Sequence, residues 1–217
     1  GWTWPAAGQR VVHVCADPRF LGWLFPAELA IAADARATVA ALGSHMPAAP
    51  AGRAAWNVRL RALHVADCEV VPGEFPDGIA FAGVAKLVER IAPADAIVTL
   101  DAGTFGAPFY RKVAWREGQR LLAPVSGAMG FGVPAAVAAA LRCPDRMVVG
   151  LVGDGGALMT GGEFAVAVAR GAPVKLLLSD NGSYASIRIH QERAHPGRVS
   201  GTMLENPDFL CWCRAFR

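Results

Sequence analysis

Two polar segments of the sequence carry residue types that suit a magnesium and phosphate site. Asp154 follows an apolar run over residues 147–152, and Asn181 follows a second apolar run over residues 174–178. Carboxylate and amide oxygens are ligands that Mg²⁺ prefers, and the ion commonly bridges one or two protein oxygens to phosphate groups. The two glycines after Asp154 allow close approach of a ligand, and their N–H groups are expected to be free to face phosphate oxygens. The pattern predicts a clamp for a metal-bound diphosphate.

The sequence around these segments predicts a strand, a loop, a helix and a second strand. Thr160 and Glu163 have the spacing of a capping box at the start of the helix, and Arg170-Gly171 is typical of its end. A right-handed crossover between parallel strands would place both polar segments at the same edge of a sheet. Asp154 is expected there as an exposed strand-end residue that contributes little to the core.

Helices and strands alternate from residue 79 onward, which predicts a parallel sheet covered on both faces. This is the arrangement of a doubly wound α/β domain. The expected elements are a helix over 82–91, a strand over 96–100, a polar turn over 101–104, a helix from Pro134 to Leu141 and a last helix capped by Asn206-Pro207.

The N-terminal residues predict part of a second, Rossmann-like α/β domain. A strand is expected over 11–15, a turn at Asp17-Pro18 and a helix over 34–42. Two segments rich in Ala, Pro and Gly flank a further helix and predict a linker. Since the chain opens with Gly1, a piece of a longer protein is expected. The predicted divisions are 1–50 for the end of the first domain, 51–78 for the linker and 79–217 for the second domain, truncated at Arg217.

Composition and charge argue against nucleic-acid and membrane partners. The formal net charge is +3, and the basic residues are scattered along the chain. No signal peptide or bilayer-length apolar run is evident, so a cytoplasmic location is expected. The five cysteines lack zinc spacing and are expected to be reduced. A nucleotide-binding oxidoreductase is disfavoured, because the glycines of segment 127–132 do not follow the GxGxxG order.

Taken together, the motifs resemble the thiamine diphosphate (ThDP) enzymes of the acetolactate synthase type. The resemblance rests on Gly153-Asp154-Gly155 and its distance to Asn181, and it covers roughly residues 10–217. It implies that the first domain is the end of the family's central domain and that the second is its ThDP diphosphate-binding domain. Further segments similar to the family are 126–136, 188–193, 196–201 and 206–209.

The resemblance also implies roles for individual residues. Met129 would hold the cofactor in a bent shape, and backbone groups of Gly127 and Met129 would bond its pyrimidine. The metal would be bound by Asp154, Asn181 and the carbonyl of Ser183. Asp180 departs from the family's usual Asn-Asn pair but leaves the ligand position, Asn181, intact. The remaining residues implied to contact the diphosphate are Gly103, Thr104, Gly155 and Gly156, while Asp101 is as well explained by a plain turn.

The activity implied is ThDP- and Mg²⁺-dependent decarboxylation of a 2-keto acid followed by C–C bond formation. Ile187 stands where simple decarboxylases of this kind carry a proton-donating glutamate, which favours carboligation over aldehyde release. His190 stands where acetolactate synthases typically carry a tryptophan, which indicates a different acceptor pocket.

The glutamate that activates the cofactor belongs to the family's N-terminal domain, contributed by a neighbouring subunit. No catalytic residue is therefore expected within this chain, and a homodimer or homotetramer with its active site at the subunit interface is implied. FAD binding is possible in such proteins but is not supported by these residues. The alternatives are a non-catalytic truncated remnant and a ThDP-dependent lyase or decarboxylase of another substrate.

Overall fold

A computed structural model describes residues 5–6, 8–70 and 78–216 and divides the chain into two compact units. The first unit ends at Arg59 and the second begins at Leu60, so the division falls inside the segment predicted as a linker. Part of that linker, residues 71–77, lies outside the described residues, as do the opening residues 1–4 and Arg217. The family identity of each predicted domain stays a prediction.

The first unit contains a parallel pair of strands and a helix. Strands β1 (Val12–Cys15) and β2 (Leu29–Ala32) pair in parallel, and α1 (Ala35–Gly43) follows β2. Asp34 caps α1, because its carboxylate accepts the N–H of Ala37 at 2.8 Å. The predicted strand and helix are confirmed, whereas β2 was missed because its four residues give no clear alternation. Helix α2 (Arg53–Asp67) spans the division between the units.

The second unit is built on a four-stranded, fully parallel sheet. Its strands are β3 (Ile97–Leu100), β4 (Arg120–Leu122), β5 (Val148–Gly153) and β6 (Val174–Ser179). Their order in the sheet is β4-β3-β5-β6. The chain therefore runs outward from β3 to β4 and then returns to the other side of β3, which creates a topological switch point between β3 and β5.

Helices cover both faces of this sheet, as the predicted doubly wound fold requires. Val98 and Leu100 of β3 face one cluster, which includes the fully buried Phe109. Ile97 and Val148 face the opposite cluster, formed with the small residues of a helix that crosses the sheet. The helices are α3 (Phe81–Ile91), α4 (Ala107–Arg111), α5 (Gly132–Arg142), α6 (Asp154–Thr160), α7 (Phe164–Ala169), α8 (Ala185–Ala194) and α9 (Phe209–Arg214).

The helix predicted after the Thr160–Glu163 capping box is present as α7 and ends at Arg170-Gly171 as expected, but the capping box itself does not form. Helix α6 begins at Asp154, directly after β5, and a 3₁₀ turn over Gly161–Glu163 separates it from α7. The hydroxyl of Thr160 donates to the carbonyl of Gly130 at 2.7 Å instead of capping a helix. Glu163 makes no capping hydrogen bond. A side chain at Gly161 would overlap the ring of Trp212, so tertiary packing decides the chain path here.

Two other helix starts differ from the prediction. Helix α5 begins at Gly132, two residues before Pro134, and the hydroxyl of Thr99 donates to the Gly132 carbonyl at 3.0 Å. Helix α9 is capped by Asp208, which leaves Asn206 for another role. Across the described ranges, no helix is both long and apolar enough to cross a membrane. The five cysteines are free thiols.

Candidate functional site

A cleft lies at the carboxyl ends of β3, β5 and β6. In open α/β sheets this edge, beside a topological switch point, is where ligands bind. The space between the cleft walls, including the part open to solvent, is about 420 Å³. Residues from four separate segments line it: Ala102–Phe105, Met129, Gly153–Gly155, and a last segment that contributes Ser179, Asn181 and Ser183–Ile187.

Asp154 connects the two segments that the sequence predicts to meet. It is the first residue of α6 and is only 3% exposed, so the expectation of an exposed strand-end carboxylate is wrong. Its Oδ2 accepts the backbone N–H of Asn181 at 3.2 Å and the side-chain amide of Asn206 at 2.8 Å. The two predicted metal-ligating segments are therefore joined by a direct hydrogen bond.

The Asn181–Ser183 turn is fixed by its own polar groups. Oδ1 of Asn181 accepts the N–H of Ser183 at 3.1 Å, a side-chain turn typical of Asn. The buried hydroxyl of Ser183 donates to the carbonyl of Thr202 at 3.1 Å, and Ser183 pairs with Met203 in an antiparallel bridge. The segment around residue 203 therefore supports the turn from behind.

The glycines after Asp154 serve close packing within the protein. The N–H of Gly155 is not free, because it donates to Oδ1 of Asp154 at 2.8 Å. A side chain at Gly155 would overlap the ring of Tyr184, and a Cβ at Gly156 would lie 2.5 Å from an oxygen of Asp101. Gly155 lines the cleft, whereas Gly156 is buried outside its lining.

Asp101 is a buried structural carboxylate at the end of β3. It is 1% exposed and accepts the N–H groups of Ala102 at 2.7 Å, Gly130 at 2.9 Å and Gly132 at 3.1 Å. These hydrogen bonds hold the loop that presents Met129 to the cleft. The plain-turn interpretation therefore understated its role.

The other predicted cofactor residues lie around the same edge. Gly103 and Thr104 line the cleft. The N–H of Thr104 donates to the hydroxyl of Ser186 on α8 at 3.1 Å, which ties this loop to the helix. Gly127 adopts a φ of +71° in the loop before Met129, but it is exposed and outside the cleft lining.

The two predicted substrate-pocket residues are separated by the structure. Ile187 lines the cleft and is 48% exposed, so its side chain faces the accessible space. His190 is exposed on α8 and does not line this cleft. Its assignment to a substrate pocket stays a prediction.

The donor set fits Mg²⁺. In the described part of the chain there is no cluster of three or more His, Cys, Asp or Glu side chains that could hold a metal. Asp154, Asn181 and the Ser183 carbonyl would offer a carboxylate, an amide and a backbone oxygen, which are oxygen ligands of the type that Mg²⁺ prefers beside phosphate groups. Asp154 accepts three hydrogen bonds, and since a carboxylate offers about four acceptor positions, it retains capacity for an ion.

Four residues of the site carry functions that the sequence did not indicate. Tyr184 and Ser186 complete the cleft wall, Asp101 anchors the Met129 loop, and Asn206 reaches Asp154 from a distant segment. Each acts through contacts between residues far apart in the chain. A polar residue directly after an apolar run was the available signal for Asp101, and none distinguished the other three.

Comparisons with known proteins identify the family and the fold of the chain. Residues 101–217 match the family model described as thiamine pyrophosphate enzyme, C-terminal TPP binding domain. The chain is 32% identical to the acetolactate synthase large subunit of Parasynechococcus marenigrum, over 97% of this chain and 34% of that protein. It is also 32% identical to a probable 2-ketoarginine decarboxylase of Pseudomonas aeruginosa, over 98% of this chain and 37% of that protein.

A solved structure shares the fold over nearly the whole chain. The thiamine diphosphate-dependent 4-hydroxybenzoylformate decarboxylase of Rhodococcus jostii superposes with a TM-score of 0.77 and 27% identity, covering 97% of this chain and 38% of that one. The chain thus spans about a third of the length of the relatives it matches.

Proposed function

The chain belongs to the thiamine pyrophosphate enzymes, and we propose that its cleft binds the diphosphate of ThDP through Mg²⁺ held by Asp154, Asn181 and Ser183. The observation that carries the proposal is the hydrogen bond from the Asn181 N–H to Asp154 Oδ2, which places both ligand segments at one edge of the cleft. All three donors are oxygens, and a cation there would offset the repulsion between a diphosphate and Asp154.

The residues beside this clamp would orient the rest of the cofactor. Met129 reaches the start of α6, since its Cε would lie 3.2 Å from a Cβ at Gly155. Gly103 and Thr104 also line the cleft and would face the diphosphate. When bound, ThDP supplies a ring that accepts the electron pair released by decarboxylation of a 2-keto acid.

For the whole protein we propose decarboxylation of a 2-keto acid followed by C–C bond formation. Ile187 supports this choice because it lines the cleft where a proton-donating glutamate would favour aldehyde release. An apolar side chain cannot deliver a proton, so a second carbonyl compound would have time to react.

We propose that the 217-residue chain binds ThDP without turnover. No Glu, His or Lys is among the described residues that line the cleft, so the activating acid would come from another domain or subunit. This supports an active site completed at a subunit interface. Supplying the remaining domains should restore turnover, and consumption of a 2-keto acid by the purified chain alone would contradict the proposal.

Product analysis tests the proposed reaction. The whole protein would receive a 2-keto acid with and without added aldehyde or keto-acid acceptors, and the products would be identified by mass spectrometry. Carboligation products are expected. Free aldehyde as the dominant product under every condition would favour a simple decarboxylase. This is the alternative function, and the similarity to the decarboxylases of Pseudomonas aeruginosa and Rhodococcus jostii supports it.

A further inference from the structure

The side-chain amide of Asn206 joins two carboxylates at the base of the candidate metal site. Its Nδ2 donates to Oδ2 of Asp154 at 2.8 Å and to Oδ1 of Asp180 at 2.7 Å. Neither Asn206 nor Asp180 lines the cleft, so both act on Asp154 from outside the space that a ligand would occupy. One nitrogen thus uses both of its protons on anionic acceptors.

The orientation of this amide is fixed by charge. The reverse orientation would place the amide oxygen against two carboxylate oxygens, which is repulsive. In the observed orientation Oδ1 of Asn206 is buried and accepts no hydrogen bond from the described residues. A buried unpaired acceptor is costly, so the placement of Asn206 is set by its nitrogen.

The backbone around Asn206 delivers it to this position. The N–H of Leu204 donates to the carbonyl of Gly182 at 2.8 Å, next to the bridge between Ser183 and Met203. Two residues beyond Asn206, the carboxylate of Asp208 caps α9. The segment is therefore attached on both sides of Asn206, and Pro207 restricts its backbone further.

The carboxylate of Asp180 explains why an amide donor is needed at residue 206. It adds a second carboxylate within hydrogen-bond distance of the nitrogen that Asp154 also uses, and its other hydrogen bond is the N–H of Gly182 at 3.3 Å. Two carboxylates this close repel each other unless a donor lies between them. Without Asn206, Asp180 would be free to repel Asp154 or to compete with it for a cation.

We propose that Asn206 is a positioning residue that holds Asp154 and Asp180 apart and keeps Asp154 aligned for the metal. The inference rests on the proposed function, because the metal and ThDP define what Asp154 is aligned for. It adds a residue outside the cleft whose loss should raise the Mg²⁺ concentration needed for ThDP binding.

The test titrates Mg²⁺ at fixed ThDP, and ThDP at saturating Mg²⁺, by calorimetry on the 217-residue chain. Asn206→Ala is expected to weaken Mg²⁺-dependent binding by about tenfold or more, the effect of losing a hydrogen bond to a charged group. Asn206→Asp keeps the size of the side chain and adds a third carboxylate, so a larger loss is expected. If Asn206→Ala does not fold, Asn206→Asp alone still tests the proposal.

The charge argument is tested by removing the partner. Asp180→Asn alone should change binding by less than about threefold, because an amide oxygen still accepts from Asn206. Combined with Asn206→Asp, it should restore part of the lost affinity, which a purely structural defect at residue 206 would not allow. Asn57→Asp makes the same change at an exposed position on α2 and should bind as the unaltered chain does.

The outcomes separate this inference from the proposed function. Binding by both Asn206 variants within twofold of the unaltered chain, with loss of binding in Asp154→Ala, would overturn the role of Asn206 alone. Failure of Asp180→Asn to restore any affinity would overturn the charge argument. Absence of Mg²⁺-dependent ThDP binding in the unaltered chain would defeat the proposed function and this inference with it.

Discussion

The carboxylate of Asp101 accepts the backbone N–H of Gly130 at 2.9 Å, although the two residues belong to different segments of the fold. This bond ties the end of β3 to the loop that carries Met129 into the cleft. Because Asp101 is almost completely buried, its oxygens are committed to this loop and not to a ligand. The cleft wall is thus organised by a residue that the ligand need not touch.

Asp101→Asn should destabilise the second unit and loosen the Met129 loop. The substitution replaces an acceptor oxygen with an NH₂ group that faces backbone N–H donors, at a cost of about 1–3 kcal/mol in the free energy of unfolding. Urea denaturation measures this loss. Asp95→Asn, at an exposed position in the turn before β3, is the control and should change stability by less than about 0.5 kcal/mol. Equal stabilities of the two variants would contradict the anchoring role.

Helix α9 should contribute to stability in a pH-dependent way. The backbone N–H of Cys211, with that of Leu210, lowers the pKa of Asp208 below its usual value. Since the folded-state pKa lies below the unfolded value of about 3.9, the cap stabilises the protein fully above that pH. The contribution is lost as the pH falls through the lower, folded-state pKa.

Urea midpoints of the unaltered chain and of Asp208→Asn, measured between pH 2 and pH 6, test this effect. The stability difference between the two proteins should shrink as the pH falls below about 4. Parallel curves over the whole range would show that the Asp208 carboxylate does not carry the effect.

Ile187→Glu should redirect the products of the whole protein. A carboxyl group at this cleft position would supply the missing proton donor and raise the ratio of free aldehyde to carboligation product by at least about tenfold. Ile187→Gln has a similar size and no proton to transfer, so it should leave the ratio near that of the unaltered protein. Equal aldehyde-to-carboligation ratios in the two variants would show that residue 187 does not determine which product forms.

Strands β1, β3, β5 and β6, and the meeting of the Asp154 and Asn181 segments at one sheet edge, could be predicted from the sequence, whereas β2 and β4 could not. The apolar runs before Asp154 and Asn181 are continuous because β5 and β6 pair in parallel within the sheet, and parallel pairing brings their ends to one edge. The family resemblance and the α/β fold class are confirmed by the matched domain and the shared fold.

The remaining details depend on contacts between distant residues. Thr160 has the residue type of a helix cap, but its hydroxyl donates a hydrogen bond to the nearby carbonyl of Gly130 instead. Asn206 likewise precedes a proline, as a helix cap often does, yet its side-chain amide donates hydrogen bonds to the carboxylates of Asp154 and Asp180. Local patterns predict which groups could bond, whereas the tertiary fold decides which partners they meet.

Titration of ThDP into the 217-residue chain with Mg²⁺, and again with an excess of chelator, tests the central claim most directly. With Mg²⁺, saturable binding is predicted, because the cation would join the diphosphate to Asp154, Asn181 and Ser183. With chelator, binding should be lost, since the diphosphate would then face the Asp154 carboxylate without a counter-ion. Equal binding under both conditions would contradict the magnesium clamp.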